Sequence, residues 1–207
     1  IYADDRAAGV YLEEDLGDTT LFDFLQRERG QSAEVPASVA AVYEEAVRLL
    51  PVIQTKAARG LDYSLCYPRG AFDRRSMMWD LNYFKYYFLK LAQVPYHEQQ
   101  LENDFDTLCS FLLEAGQDHF LYRDFQSRNI MVRDGQPWFI DYQGGRRGAF
   151  QYDIASLLYD AKAGMPEILR AELFDFYMDE LEKTMPVNRQ TFKAHYQAFV
   201  LIRIMQA

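Results

Sequence analysis

The sequence predicts a mainly α fold with a small β-hairpin element. Apolar residues recur at helical spacing along most of the 207 residues, whereas short apolar runs bounded by turn residues cluster between 119 and 141. Hydrophobic residues make up 49% of the chain and aromatic residues 15%, which is enough to bury a core. We find no linker long enough to divide the chain.

The first elements lie in "GVYLEEDLGDTTLFDFLQRE", residues 9–28. Residues 10–13 have the composition of a strand, and 15–18 have that of a turn. A helix follows, because Leu21 and Leu25 fall on one face, and Asp18 or Thr19 is the expected N-cap.

Three further helices are predicted before residue 117. The second begins near Pro36, the third spans 73–93, and the fourth spans 97–116. The third is unusually aromatic, which fits either core packing or a ligand-binding surface. The prolines at 51, 95 and 186 are expected in connections between elements.

The pattern then changes to "HFLY", "IMVR" and "PWFID", three short strands, of which the last two flank a hairpin turn at "RDGQ". Helical spacing returns in 152–161, 165–183 and 188–205. Helices therefore dominate, with a small β element inserted at 119–148.

Composition argues against several classes of protein. A net charge of −9, with no cluster of basic residues, repels nucleic-acid phosphates. The apolar runs are too short to span a membrane, and the start lacks the basic region of a signal peptide. Cys66 and Cys109 form no CxxC motif, so we expect free thiols and a cytoplasmic protein.

Three polar side chains stand at the ends of the short strands. Asp124 is followed five residues later by Asn129, and Asp141 ends the last strand. Mg²⁺ takes one or two protein oxygens and leaves its other positions to water and phosphates, which suits Asn129 and Asp141. Asp124 is left to accept a proton from an attacking hydroxyl. This pattern is typical of phosphoryl transfer.

The segments "YRDFQSRNIM", "FIDYQGG" and "YDIASLLYD" resemble the catalytic region of the aminoglycoside phosphotransferase and choline kinase family, which is related to protein kinases. Within that family they are most similar to bacterial kinases of cell-wall amino sugars, N-acetylmuramate and N-acetylglucosamine. The resemblance covers residues 11 to about 161. It implies the C-terminal lobe of a protein-kinase-like fold, with ATP and Mg²⁺ as cofactors and a small-molecule hydroxyl as acceptor.

The resemblance also implies a role for individual residues. Asp124 matches the catalytic base, Asn129 a Mg²⁺ ligand, and Asp141 the aspartate that bridges Mg²⁺ to the β- and γ-phosphates. Met131 matches the apolar floor under the adenine, and Ile140 lines the same pocket.

The segment "YLEEDLGD" resembles the hinge strand that joins the two lobes of a kinase. The main chain of residues 13–16, that is Glu13, Glu14, Asp15 and Leu16, is then expected to pair with the adenine edge. An acidic turn is the alternative interpretation of these letters. Asp153 matches a buried aspartate that supports the catalytic loop.

The remaining candidates surround the base. Tyr122 stands where the family usually has His, and Arg123 where the antibiotic kinases have Gly, and both are expected to orient the loop. Arg128 is a candidate for a phosphate or substrate contact, or else a solvated or ion-paired arginine. Asp80 and Tyr142 are candidates for acceptor contacts, and the alternative for Asp80 is a surface aspartate beside core aromatics.

These assignments divide the chain into a hinge strand and interlobe linker at 1–18 and a helical lobe at 19–207. The lysine and Gly-rich loop that kinases place before the hinge are missing, and "QGGRRG" follows Asp141. We therefore expect the N-terminal β lobe to be absent from this chain, and the isolated chain to be inactive.

Two other functions remain open. One is a kinase-like module that binds nucleotide or a protein partner without catalysis, and the other is a helical interaction module. The presence of all three polar residues favours the enzyme, since a catalytically silent relative commonly loses one of them.

Overall fold

The computed structural model describes residues 1–56 and 59–206, and helices make up most of this part of the chain. The helices are α1 (Leu21–Arg29), α2 (Ala37–Lys56), α3 (Arg74–Phe84), α4 (Glu98–Leu113), α5 (Phe150–Leu158), α6 (Glu167–Glu182) and α7 (Arg189–Gln206). The strands are β1 (Ala3–Asp5), β2 (Val10–Leu12), β3 (His119–Leu121), β4 (Ile130–Arg133), β5 (Gln136–Phe139) and β6 (Arg146–Gly148). The predicted mainly α fold is confirmed.

Strands β4 and β5 form the predicted hairpin, with Ile130 opposite Phe139 in antiparallel register. Its turn is Asp134-Gly135, and both residues have positive φ, 53° and 73°. A two-residue turn of this kind matches the right-handed twist of the strands, and Asp-Gly is one of the pairs that adopt it readily.

Two other strand pairs were not predicted. Strand β1 pairs with β2 in an exposed hairpin at the start of the chain. Strand β3 pairs with β6, so that His119 lies opposite Gly148. A side chain at Gly148 would overlap Leu121, which explains why glycine stands there. This pairing places the segment after Asp141 against the strand that precedes Asp124.

Helix α5 lies at the centre of the core, and every residue of it is buried. It packs against α6 and α7, and α2 packs against α6. A helix that is buried on all sides must satisfy its polar groups internally. Gln54 of α2 does this in part, since its side chain donates to the carbonyl oxygen of Phe150 at 3.1 Å and accepts from the Tyr177 hydroxyl at 2.7 Å.

Two predictions about helix α1 and helix α2 were wrong. Thr20, rather than Asp18 or Thr19, is the N-cap of α1, because its Oγ1 accepts from the main-chain N–H of Asp23 at 3.1 Å. Pro51 lies inside α2 and not in a connection. Tertiary packing outweighs the lost hydrogen bond there, since Pro51 is buried among core residues.

The predicted third helix is shorter than expected. Helix α3 ends at Phe84 and continues as a wider π-helical turn, Lys85–Leu89. Lys85 is buried in this turn and pairs with Glu98 and Glu102 of α4. Most of the aromatic side chains are exposed, so core packing explains few of them: exposed are Trp79, Tyr83, Tyr86, Tyr87 and Phe88. Within residues 1–56 and 59–206, no helix has the length and apolar character needed to cross a bilayer.

The capping of α1 leads to a prediction. We expect Thr20→Ala to lower the free energy of unfolding by about 1 kcal/mol, because the N–H of Asp23 loses its acceptor. Thr19→Ala is the matched control, since no hydrogen bond of its side chain occurs in the described part of the chain, and it should change stability little. Urea denaturation of the three proteins measures both effects. A larger loss in Thr19→Ala than in Thr20→Ala would contradict the observed cap.

Candidate active site

Asp153 ties the loop after β3 to the core helix α5. Its side chain is fully buried, and its carboxylate accepts from the main-chain N–H groups of Tyr122 at 2.8 Å and Arg123 at 3.1 Å. The Gln54 side chain donates to the same carboxylate at 3.2 Å. Three donors thus converge on one buried acceptor, and the residues just before Asp124 are fixed by them. These are the contacts that the resemblance implied for Asp153.

The pKa of Asp153 is raised to about 6, because the effect of burial is larger than that of its hydrogen bonds. The bonds from Tyr122, Arg123 and Gln54 lower the pKa but only in part offset burial. A carboxylate that is removed from water favours its neutral form unless donors and charges compensate the loss of hydration. The support of the loop is therefore sensitive to protonation of this group.

Arg123 is held in an unusual conformation directly before Asp124. Its φ is +82°, which places a long side chain in the left-handed region. The guanidinium donates to both oxygens of Asp80 at 2.9 Å, bonds the Tyr152 hydroxyl, and lies 4.7 Å from the centre of the Phe72 ring. A strained backbone of this kind persists only where its surroundings enforce it, and such residues cluster at functional sites.

The ion pair with Arg123 limits the contacts that Asp80 can make with a substrate. Both of its oxygens are taken by Arg123, and the two side chains are largely buried, with 12% and 14% exposed. A contact between Asp80 and a substrate would have to compete with this bidentate pair. Asp80 was predicted as an acceptor contact, and its observed partner is Arg123, directly before Asp124.

A ring of hydrogen bonds brings the predicted catalytic and metal-binding segments together. The Asn129 side-chain amide donates to the main-chain oxygen of Asp124 at 2.9 Å. The main-chain oxygen of Asn129 accepts from Ile140 at 3.1 Å, and the oxygen of Ile140 accepts from the Tyr122 hydroxyl at 2.6 Å. Asp141 follows Ile140 directly, so these bonds make the main-chain segments of Asp124, Asn129 and Asp141 neighbours in the fold.

The electrostatics of Tyr122 agree with this arrangement. Burial raises the pKa of Tyr122, and the nearby carboxylates of Asp141, Asp153 and Asp124 raise it further. The phenol therefore stays protonated and remains a donor to the carbonyl oxygen of Ile140. Tyr122 acts as a spacer between the loop that carries Asp124 and the strand end that carries Asp141.

The side chains of Asp124 and Asp141 are available for chemistry. Among the described residues, neither carboxylate accepts a hydrogen bond or forms an ion pair. Asp141 has a φ of +66°, in the left-handed region. A side chain at Gly144 would begin 3.3 Å from Asp124 Oδ2, so the glycine leaves the space beside that oxygen open.

A cleft of about 460 Å³ opens between residues 11–16, the predicted hinge segment, and the β4–β5 hairpin. Six predicted residues line it: Glu13, Glu14, Leu16, Ile140, Asp141 and Tyr142. Asp15 and Met131 do not line this cleft. Trp138, which lies directly opposite Met131 in the hairpin, contributes to the wall instead.

Sequence reasoning missed several contributors. Trp138 and Phe139 line the cleft, and Arg133 of β4 pairs with Glu14 at 2.7 Å, which joins the hairpin to the predicted hinge segment. The predicted hairpin register was the signal that could have identified Trp138, because residues opposite each other share a face. Nothing local links Arg133 to a glutamate so distant in the chain.

Arg128 lies exposed beside Asn129, with its guanidinium 4.6 Å from the centre of the Phe22 ring. In the part of the chain that the structure describes, it has no carboxylate partner. Its edge therefore remains able to donate hydrogen bonds.

The donor set fits a nucleotide with Mg²⁺. The Asn129 amide nitrogen is used in the fold, which leaves its oxygen, and Asp141 adds a free carboxylate, so the site offers a few hard oxygen ligands. No group of three His, Cys, Asp or Glu side chains suited to a metal occurs in residues 1–56 and 59–206. The cleft volume lies within the usual range for small-ligand sites.

Comparison with known proteins gives consistent relatives. The model of the phosphotransferase enzyme family matches residues 6–187. An N-acetylmuramate/N-acetylglucosamine kinase of Neisseria meningitidis serogroup B is 30% identical over 161 residues, covering 76% of this chain and 44% of the relative. A protein with the same name from Pseudomonas aeruginosa is 25% identical over 170 residues, covering 81% of this chain and 46% of the relative.

A solved structure shows a similar fold. Choline kinase from Cryptosporidium parvum Iowa II superimposes with a TM-score of 0.53 at 12% identity, covering 81% of this chain and 57% of that one. The fold is thus kinase-like. The chain spans less than half the length of the two amino-sugar kinases that it matches.

The buried carboxyl of Asp153 leads to a prediction about pH. Its pKa is raised from 3.8 to about 6 on folding, so its contribution to stability is full below about pH 4 and is lost as the pH rises through 6. We expect the free energy of unfolding of the wild type, minus that of Asp153→Asn, to fall by roughly 2–3 kcal/mol from pH 4 to pH 7. Urea denaturation at several pH values measures this difference. A difference that rises with pH would show that the N–H donors outweigh burial.

Proposed function

The chain belongs to the phosphotransferase enzyme family, and from this premise we propose that the full-length protein transfers a phosphoryl group from ATP to a hydroxyl of an amino sugar, with Mg²⁺. One observation carries the proposal. The hydrogen bonds among Tyr122, Asp124, Asn129 and Ile140 join the loop that carries the free Asp124 carboxylate to the segments that carry Asn129 and Asp141, and Asp141 lines the cleft. Phosphoryl transfer depends mainly on such positioning and on neutralised charge.

Asp124 is the proposed general base. Its main chain is fixed by Asn129, and the two residues before it are fixed by Asp153, so the loop that carries the carboxylate is held on both sides. A base must lie within hydrogen-bond reach of the proton that it accepts. The open space beside Gly144 allows an acceptor hydroxyl to approach Asp124 Oδ2.

Asn129 and Asp141 are the proposed ligands of Mg²⁺, which when bound neutralises charge on the transferred phosphate. The left-handed backbone at Asp141 aims the residue away from the regular strand direction of β5. The cleft formed by the hinge segment and the hairpin is the proposed site of the adenosine part. There the main chain at residues 13–16 supplies hydrogen bonds, with Ile140 as apolar support, and Met131, which does not line the cleft, has no part in this proposal.

The amino-sugar acceptor is proposed from the relatives. Both curated relatives are named for N-acetylmuramate and N-acetylglucosamine, and the first is 30% identical to this chain. Tyr142, exposed at the cleft, and Arg128, exposed beside Asn129, are the proposed contacts with substrate or phosphate. Asp80 is proposed to act on the same side of the site through Arg123.

We propose the activity for the full-length protein and not for this chain alone. Residues 1–18 are the proposed hinge and linker, and 19–207 the helical lobe. In protein kinases the lysine that holds the phosphates precedes the hinge, and here the first lysine is Lys56, beyond it. The isolated chain is therefore expected to give no turnover. Because the donor is ATP and both cysteines are free, we propose a cytoplasmic setting.

Substitution of the base tests the proposal. In the full-length protein, Asp124→Asn should lower kcat with an amino-sugar acceptor by roughly 10²–10⁴-fold, the usual contribution of a general base, and leave nucleotide affinity unchanged. The measurements are the rates of phosphorylation of amino sugars, aminoglycosides and choline, together with the affinity for ATP. Asp134→Asn, the same change in the exposed hairpin turn, is the control and should remain fully active.

Two results would contradict the proposal. Unchanged activity of Asp124→Asn removes Asp124 from the mechanism. A wild-type protein that binds ATP but phosphorylates none of the acceptors supports a catalytically silent nucleotide-binding module instead.

A further inference from the structure

A second, polar cavity of about 630 Å³ opens at the surface of the molecule and includes Arg147 of β6 in its lining. Its walls are residues 61–64, 68–71 and 73 of the connection between α2 and α3, together with Arg147. We call it the Arg147 cavity. Neither the nucleotide cleft nor the proposed metal ligands take part in it.

The Arg147 cavity lies close to the proposed base. Gly144 packs beside Asp124 Oδ2, and Arg147 follows it by three residues. Three residues of extended chain span about 10 Å. On the opposite wall, Phe72 lies between cavity residues 71 and 73, and its ring lies 4.7 Å from the Arg123 guanidinium. The main chain at Arg147 therefore lies within about 10 Å of that at Gly144, roughly the length of a hexose with a side group.

Arg147 is fixed in place. Its main-chain N–H donates to Gly70 at 2.9 Å, and its main-chain oxygen accepts from Phe72 at 2.8 Å. The guanidinium lies over the Tyr63 ring, 4.8 Å from the ring centre. Stacking of this kind occupies one face of the guanidinium and leaves its N–H edge free, and that edge matches the two oxygens of a carboxylate.

The other charged groups of the cavity already have partners. Arg69 pairs with Asp73, and Asp62 accepts from the N–H and hydroxyl of Ser64. Among the described residues, no carboxylate lies within ion-pair distance of Arg147. The Arg147 side chain is exposed, so its guanidinium can be reached by a ligand from solvent.

Tyr63 supplies a second sign of an incomplete site. Its side chain is 8% exposed, and its hydroxyl is buried without a hydrogen-bond partner in the part of the chain that the structure describes. Buried hydroxyls normally have a partner. The ring that supports Arg147 therefore carries a buried hydroxyl for which the described residues supply no partner.

We propose that the Arg147 cavity is the part of the acceptor site that binds a carboxylate, with Arg147 as its bidentate donor. The inference rests on the proposed function and makes it more specific: the preferred acceptor is an acidic amino sugar. N-acetylmuramate carries a carboxylate on a lactyl ether, whereas N-acetylglucosamine lacks that group. Arg147 then distinguishes the two sugars by charge.

Equilibrium binding tests the proposal independently of turnover. Titration calorimetry on the full-length protein with a non-hydrolysable ATP analogue measures Kd for N-acetylmuramate and for N-acetylglucosamine. We expect Arg147→Gln to raise the Kd for N-acetylmuramate by roughly 10–100-fold, because a charged hydrogen-bonded pair is lost. The Kd for N-acetylglucosamine should stay within about twofold of the wild-type value. Arg147→Lys keeps the positive charge but loses the bidentate guanidinium, so its Kd for N-acetylmuramate should lie between those of the wild type and Arg147→Gln.

Arg170→Gln is the matched control, because Arg170 of α6 also stacks on a tyrosine, Tyr159, at 4.5 Å but lies outside the cavity. It should leave both Kd values unchanged, and thermal unfolding verifies that each variant is folded. Equal weakening of the two sugars in Arg147→Gln, no change in either, or binding of neither sugar by the wild type overturns the inference. Sugar binding without phosphoryl transfer overturns the proposed function alone.

Discussion

The candidate site depends on one buried carboxylate. Asp153 belongs to α5, the most deeply buried helix, and it accepts the main-chain N–H groups of two successive loop residues. Burying a carboxylate is costly unless donors surround it, so the geometry that satisfies Asp153 also fixes the loop. The positions of Tyr122 and Arg123 follow from this, and with them the placement of Asp124. The catalytic loop is thus an extension of the core and not a surface loop.

The second constraint is the left-handed backbone of Arg123. A residue with this conformation is held by its contacts, and here three helices contribute them: α3 through Asp80, α5 through Tyr152, and α7 because Gln206 accepts from the Tyr152 hydroxyl. A buried ion pair adds specificity more reliably than stability. The pair of Arg123 and Asp80 therefore selects one loop conformation and connects α3 to the loop that carries Asp124, the proposed base.

The elements that the sequence predicted correctly are those determined by interactions between residues close together in the chain. The β4–β5 hairpin could be read from Asp134-Gly135, and the helices from apolar spacing, because turn chemistry and amphipathic faces are written in neighbouring residues. The pairing of β3 with β6 could not be read, since strands of three residues have little alternation and their partners are distant in the chain. The salt bridge of Arg133 and the partner of Asp80 are equally non-local. The candidate residues were proposed from residue type, spacing and the family resemblance, which also implied the contacts of Asp153, whereas the contacts of Arg133 and Asp80 were not predicted.

The central claim is that Asn129 and Asp141 hold one cation beside the Asp124 carboxylate. Electron paramagnetic resonance of Mn²⁺ bound to the full-length protein with an ATP analogue tests it directly. We expect Asp141→Asn to weaken Mn²⁺ binding by at least roughly 10–100-fold, because loss of a residue that only supports a metal ligand already has an effect of that size. Asp134→Asn should leave Mn²⁺ binding unchanged. Equal Mn²⁺ affinity in the wild type and in Asp141→Asn would contradict it.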